Sequence, residues 1–523
     1  MTSFDLTREP WIGCTTATKQ VTLVGLRDVL VRAHELNGLS NESPLLDASL
    51  LRLCLAVLHR CFGPRDVKAW NELRTRGSFP VEELDTYFER WRPCFDLFHP
   101  ETPFYQVARL SEQSLNYEKG RKPAREMIAE QSSYGAPREL FESRPADFAD
   151  TLDAATAARW LVAIQAFHPG GLLTRDNKNG DPTSVKAGPL CGLAVVTVRG
   201  GSLFETLMLN LLKYPDNARF PSTKDDAPAW EQKFPLTKYK KRACRGWLDW
   251  LTWQSRRIQL FGDAERGVSE FIVVSGCELE AVEASREPMC AYAKREKFGM
   301  LPIAFSRDRA LWRDSTALYE IADSEDFRPA KVVSELEQRG LTEGRDLDLQ
   351  IYGQLPSKAS VIFTRTEVVP LPRALVDQRE LVQTIRRELE CAENVQGELR
   401  SALFIAFQRV LSLGERKPEA SDVRNLLDAS QAIPQFWAGL KPAFDVFVTE
   451  LPRDSALAVS GFRWQLRAEA RKAFEHAERG AGTSSRALKG FAIGSGVLQR
   501  GLAKLGLLAH STTDVDLRTQ EAS

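Results

Sequence analysis

The stretch RELVQTIRRELECAENVQGELRSALFIAFQRVL, Arg379–Leu411, decides how the last third of this chain folds. Leu381, Ile385, Leu389, Val395, Leu399, Ala402 and Ala406 recur at helical spacing on an otherwise charged surface. That pattern predicts one long amphipathic helix whose apolar stripe needs partners. Partners follow at once: SDVRNLLDASQAI, FWAGLKPAFDVFVTEL, ALAVSGFRWQLRAEARKAFEHA and SRALKGFAIGSGVLQRGLAKLGLL keep the helical period. In the last of these, Leu488, Phe491, Leu498, Leu502 and Leu505 share a face. The connections are short and carry Pro or Gly, so residues 373–510 are expected to form a four-helix bundle, with 511–523 as a polar tail. Pro434 and Pro442 are expected to kink or split the second element. Phe404, Trp437 and Trp464 read as core or as interface, and helical spacing favours core.

Working back towards the N-terminus, residues 1–372 change period repeatedly. A short strand pair is expected over 3–12 and 20–23. LVGLRDVLVRAHEL then reads as an amphipathic helix, and LLDASLLRLCLAVLHRCFG is apolar enough to be a buried one. RDVKAWNELRTRG and VEELDTYFERWRPCFDLF are further helices. From about Glu112 to Asp153 the pattern fades into a polar loop of a length that is usually functional or disordered. DAATAARWLVAIQAF restarts a helix that ends against Pro169-Gly170-Gly171, and LAVVTVRGGSLFETLMLNLL reads as strand, turn, helix. The middle, 215–372, mixes short strands and loops. The fold class is therefore α+β: a large irregular mixed α/β domain over 1–372, followed by the bundle.

Composition narrows the function. Lys plus Arg and Asp plus Glu are 70 each in 523 residues, so the chain is no polycation that coats nucleic acid indiscriminately. A local basic patch remains open to it. The N-terminus has charges where a signal peptide needs an apolar stretch, and the longest apolar run, Leu190–Val198, is too short to span a membrane. Nine scattered cysteines without a CxxC pair predict reduced thiols and a cytoplasmic protein. The six histidines form no HExxH motif or metal-spaced cluster. No phosphate-binding GxxxxGK[ST] loop, dinucleotide GxGxxG turn or GxSxG elbow is present. No cofactor is called for. A nuclease or hydrolase assembled across the fold stays the rival reading.

The positive signal lies in loops. FHPGGLLTRDNKNGDPTSVKAGPLCG, Phe167–Gly192, has paired glycines, three cations and few bulky apolar side chains. Gly170 and Gly171 allow a ligand close to the backbone, and nearby cations would neutralise phosphates. The run KFPLTKYKKRACRGW places Lys238, Lys240, Lys241, Arg242 and Arg245 together without an acid, and EPMCAYAKREKFGMLPIAF clusters Lys294, Arg295 and Lys297. Each segment alone reads first as a solvated loop. Together they suggest a nucleic-acid surface.

FDLTREPWIGC, FDLFHPETPFYQV, AARWLVAIQAFHPGG, EPMCAYAKREKFGMLPIAFSRDRALWRD and YGQLPSKASVI occur in an order and spacing that resemble CasA, the large subunit of the type I-E CRISPR surveillance complex Cascade. The resemblance spans nearly the full length. It implies a non-catalytic subunit that reads the protospacer-adjacent motif (PAM) in double-stranded DNA, helps open the duplex for guide RNA pairing and recruits a separate helicase–nuclease in antiviral defence. Implied partners are the backbone and small subunits, the guide RNA, target DNA and the helicase–nuclease. By the same resemblance, Gly170 and Gly171 form a glycine loop near the minor groove, and Lys294, Arg295 and Lys297 are candidates for a basic finger. A wedge falls between Tyr352 and Ser360. Alignment on KASVI puts its tip at Ser357-Lys358-Ala359, with Lys358 where a member of the family has a glutamine, and Gln354 is the alternative. Matching PRELFES makes Phe141, with Arg138 beside it, the contact of a long loop to the guide or complex, the other reading being an anchor to the core. The run from Lys238 to Arg245 is either a phosphate-tracking face or a solvated one.

Overall fold

The structure, a computed structural model, describes residues 3–128, 151–214, 216–217, 220–221, 223–232, 237–280, 287–307, 309–320, 322–341, 346–357, 360–412 and 418–507. Arg138, Phe141, Lys358 and Ala359 lie outside them. The chain divides into two compact units, Met1–Val369 and Pro370–Ser523.

The first unit is built on buried helices bordered by small sheets. Strands β1 (Ile12–Thr16), β2 (Val21–Val24) and β3 (Leu36–Leu39) form an antiparallel sheet in the order β2-β1-β3. The helix expected across LVGLRDVLVRAHEL is therefore shorter: α1 covers Leu26–Val31, and the chain turns so that Leu39 pairs with Cys14. Helix α2 (Pro44–Cys61) has Ser43 as its cap, with Pro44 in the first turn where its missing N–H costs nothing. It is buried nearly all round, including Arg52 and His59. Arg52 meets Glu287 at 2.9 Å, and Trp250 Nε1 donates to the same carboxylate at 2.6 Å. Helices α3 (Val67–Thr75) and α4 (Val81–Trp91) follow as expected.

Helix α5 (Ala154–Phe167) starts at Asp153, whose carboxylate caps Thr156, and strand β4 (Val195–Arg199) and helix α6 (Leu203–Asn210) complete the strand–turn–helix. Strand β5 (Lys240–Arg242) precedes the short helix α7 (Trp247–Leu251). Strands β6 (Arg256–Asp263) and β7 (Gly267–Ser275) make an antiparallel hairpin, and β8 (Cys277–Leu279) pairs in parallel with β5. A second hairpin joins β9 (Tyr292–Arg295) to β10 (Gly299–Pro302). The long strands β11 (Leu347–Ser357) and β12 (Ser360–Leu371) complete a three-stranded sheet in the order β12-β11-β4.

The second unit is helical. Helix α8 (Arg379–Leu411) runs as one piece, followed by α9 (Ala420–Ala429), α10 (Ala432–Glu450), α11 (Ser455–Gly480) and α12 (Ser485–Lys504). The short α9 is an addition to the four long helices. Pro442 sits inside α10 without splitting it. The stripe of α8 matches expectation from Ile385 onward, but Val382 rather than Leu381 takes the buried place in the first turn. In α12 the buried face shifts. Leu488 is exposed, while Gly490 and Gly494 face α8. A Cβ on Gly490 would stand 2.7 Å from the Ala406 carbonyl, and one on Gly494 2.9 Å from that of Ala402. The two helices pack backbone to backbone, which large side chains would prevent. Glu388, fully buried, receives Arg463 through two bonds of 2.7 and 2.8 Å, tying α8 to α11. Trp437 is core and donates to Gln396, whereas Trp464 is half exposed.

Candidate functional site

The glycine pair follows directly from the end of α5. Pro169 cannot continue a helix and forces His168 out of it. The chain then closes a small bridge, Gly171 N–H to Val185 O at 2.9 Å and Val185 N–H to Gly171 O at 2.8 Å. Gly171 has a φ of 133°, a region that favours glycine. Gly170 is small for an internal reason as well: a Cβ there would lie 2.8 Å from Val185 O and 2.9 Å from Ala187 N.

Beneath the bridge lies Arg256, 2% exposed. Its guanidinium donates to the Lys186 carbonyl at 2.8 Å and reaches the Pro169 carbonyl at 3.3 Å. His168 is buried beside it. Burial, and then the Arg256 charge, hold this imidazole well below its usual range, so it is neutral. The rest of the loop is also pinned. Asp181 accepts from Tyr117 Oη at 2.6 Å, Ser275 Oγ at 3.1 Å and the Asp176 N–H at 2.9 Å, and it pairs with the fully buried Arg257. The stretch from Phe167 to Gly192 is thus a tethered loop whose exposed parts, such as Leu172, Arg175 and Lys178, stand on a buried ionic anchor.

Lys294, Arg295 and Lys297 occupy the end of the β9–β10 hairpin. Exposure begins sharply at Lys294 and continues through Gly299, whereas Tyr292 and Ala293 are buried. Arg295 pairs with Gly299, whose φ of 72° closes the turn. Lys294 meets Glu325 at 2.5 Å; their mutual hydrogen bond raises the lysine's pKa and lowers the carboxylate's. Both ends of this pair are open to solvent, where such pairs contribute little.

The proposed wedge falls at the end of the β11–β12 hairpin. Ser357 is exposed, and its carbonyl accepts from Ser360 Oγ at 3.0 Å. Gln354 is a correction: it is 1% exposed, with Nε2 donating to the Phe167 carbonyl at 2.6 Å and to Cys191 Sγ at 3.1 Å. It cannot insert into a ligand, because it ties the hairpin to the root of the glycine loop.

The basic run divides. Lys238, Lys240 and Lys241 are exposed, with Lys241 3.8 Å from Glu278. Arg242 and Arg245 are corrections. Arg242 grips the buried Asp249 through both terminal nitrogens and lies over the Trp253 ring at 4.3 Å. Arg245 lies beside the same carboxylate and donates to Gln232 Oε1 at 2.8 Å. Both guanidinium groups serve the fold. The phosphate candidates of this run reduce to the three lysines.

Three of the predicted elements share one mount. Leu190 N–H binds the Ala166 carbonyl at 2.9 Å and Gly188 N–H that of His168 at 2.8 Å, fixing the chain after the glycine loop to the end of α5. Four residues on, Ala194 N–H donates to Ile303 O at 2.9 Å, and Ile303 N–H to Ala291 O, which anchors the β9–β10 finger. Next, Val195 pairs with Tyr352 of β11. Gly353 passes so close to Leu193 O that a Cβ would stand 2.4 Å from it. The segment Ala187–Val195 is therefore the common root of glycine loop, finger and long hairpin. Sequence reading missed Arg256, Gln354 and Asp181 as the parts that hold this root, because their partners are distant in the chain. Among the described residues, no group of three His, Cys, Asp or Glu side chains could hold a metal ion, and no helix is long and apolar enough to cross a membrane.

This arrangement, an irregular α/β unit with several surface loops rooted on one strand entry and a helical unit, belongs to a CRISPR-associated protein. Within that class the chain belongs to the family described as CRISPR-associated protein Cse1, whose family model matches residues 5–481. A CRISPR-associated protein CasA/Cse1 of Thermus thermophilus is 33% identical over 534 residues, covering 96% of this chain and 98% of that protein. The solved structure of Thermus thermophilus CasA (Cse1) aligns with a TM-score of 0.79 at 30% identity, covering 96% of this chain and all of that one. A chain from a structure described as a CRISPR RNA-guided surveillance complex aligns with a TM-score of 0.75 over 97% of this chain and all of that one. At 22% identity, that likeness is one of fold.

Proposed function

We propose that this chain is the non-catalytic large subunit of a type I-E Cascade-like surveillance complex. In this reading it recognises the PAM in double-stranded DNA, assists duplex opening for guide RNA pairing and recruits the helicase–nuclease. The observation that carries the reading is the common root of the glycine loop, the basic finger and the long hairpin. It brings a glycine pair, three cations and a hairpin end together on a protein of the Cse1 family. Gly170 and Gly171 supply close approach to a groove, Lys294, Arg295 and Lys297 supply phosphate or base-edge contacts, and Ser357-Lys358-Ala359 form the wedge. Unstacking a base step costs roughly a few kcal/mol, offset by contacts to the opened strands. Lys238, Lys240 and Lys241 track phosphates, and Arg138 and Phe141 contact the guide or neighbouring subunits.

The test is a titration of PAM-bearing and scrambled duplexes against the reconstituted complex, with a Gly170→Asp/Lys358→Ala variant and an Arg295→Ala/Lys297→Ala variant. Variants that assemble but lose the preference for the PAM duplex support the reading. Unchanged assembly and unchanged preference refute it. A plasmid-nicking assay with magnesium or manganese tests the non-catalytic part, for which no cleavage is expected.

A further inference from the structure

The finger carries a group that phosphate recognition does not require. Among the described residues, two aromatic rings are both large and exposed, Phe298 and Trp464, and Phe298 is the more open at 75% against 44%. Phe298 is the last residue of the three-residue turn between Arg295 and Gly299, with its N–H bound to the Arg295 carbonyl at 3.0 Å. Gly299 at φ 72° makes the turn, so the phenylalanine is not needed for it. The exposed Lys294, Arg295, Glu296 and Lys297 precede it, with the exposed Gly299 after. Isolated exposed apolar side chains are ordinary. A bare ring among cations at the tip of a projecting hairpin is the combination that single-strand-binding surfaces use, in which cations hold phosphates while an aromatic face takes a base.

We propose that Phe298 is a base-stacking residue, the ring of the finger tip taking the face of one unstacked nucleobase while Arg295 and Lys297 hold the flanking phosphates. This rests on the DNA-binding reading above and deepens it, adding recognition of an opened rather than a closed base step. Charge complementarity selects a nucleic acid over an apolar protein surface as occupant, since the exposed Arg295 and Lys297 stand in the same turn as the ring, with Glu296 the one acid between them.

The test uses the full chain in the reconstituted complex and a target duplex carrying the fluorescent adenine analogue aminopurine near the PAM. Stacking of one base contributes enough that Phe298→Ala should weaken binding about tenfold. The aminopurine quenching should disappear, and the salt dependence should stay as in wild type because no phosphate contact is lost. Phe298→Trp should keep both affinity and quenching. Lys297→Ala should instead lower the salt slope by about one and leave quenching in place. If the Lys294→Ala/Arg295→Ala/Lys297→Ala variant binds like wild type, the DNA reading of the finger falls. If that variant weakens binding while Phe298→Ala changes neither affinity nor quenching, the stacking role alone is overturned. It is equally overturned if Phe298→Ala blocks assembly with the other subunits, which would make the ring a protein anchor.

Discussion

Replacing Asp181 by Ala tests whether the glycine loop is held from within. Asp181 is 8% exposed, and its partner Arg257 is fully buried. The variant leaves that guanidinium with the carbonyls of Ser275 and Thr237 but without a counter-charge, and strands the donors of Tyr117, Ser275 and Asp176. Removing one member of a buried pair costs about 3–5 kcal/mol. An unfolding entropy of about 2.1 cal/mol/K per residue over Met1–Val369 gives roughly 0.8 kcal/mol/K. The midpoint should therefore fall by about 4–6 °C if the unit melts together. Nine of the eleven tryptophans lie in this unit, so intrinsic fluorescence during heating follows it. Limited proteolysis should show earlier cleavage between Leu172 and Lys186. An Asp181→Leu/Arg257→Met double variant should recover part of the loss, because no unpaired charge remains. A midpoint within about 1 °C of wild type for Asp181→Ala, a shift of under about 1 kcal/mol, would refute the anchoring argument.

Other outcomes follow from the same geometry. Gln354→Ala removes the bond to the Phe167 carbonyl and should destabilise by about 1–3 kcal/mol in urea denaturation, a loss no surface residue would give. Gly490→Leu in α12 would force the helix away from Ala406 and should destabilise the helical unit by about 1–3 kcal/mol, read by circular dichroism of the full chain. His59 is buried and accepts from Trp247 Nε1 at 3.0 Å, and burial pushes its imidazole down to about 3. The unfolded chain binds that proton first, so stability should be lost as pH falls from about 6.5 towards 3, by up to about 1.4 kcal/mol per pH unit. His59→Gln keeps an acceptor for Trp247 and should flatten the profile measured by thermal melting. Arg242→Gln should lower the melting temperature and leave the salt dependence of DNA binding unchanged, since this arginine serves Asp249; Lys240→Gln should do the reverse.

Period carried most of the fold. The stripe from Ile385 to Ala406 and the apolar run of α2 were legible because one residue type repeats at one spacing over many turns. Where it failed, a competing partner decided. The helix expected to run to Leu36 stops at Val31, because from Leu36 the backbone pairs with the first strand across the sheet. In α12 Phe491, Leu498 and Leu502 are buried as their spacing suggests, but Leu488 is exposed and Gly490 and Gly494 join the buried face, because contact with α8 rewards small residues there. At the candidate site, the exposed cations of the finger could be read directly, since charge clustering is local. The basic run misled for the opposite reason: the acid that claims Arg242 and Arg245 lies outside it, at Asp249. Gln354 could not be placed at all, because its use depends on Phe167, a residue 187 positions away.

The shared root of the three loops bears on how tightly a ligand can be held. Fixing a free loop at the moment of binding consumes about 0.5–1.5 kcal/mol for each flexible side chain immobilised, before any contact is counted. Here the backbone roots of the glycine loop, finger and hairpin are already fixed by Leu190, Ala194 and Val195 before any ligand arrives. A partner that engages all three meets roots already in place, so what binding still has to order is the exposed side chains rather than the backbone that carries them.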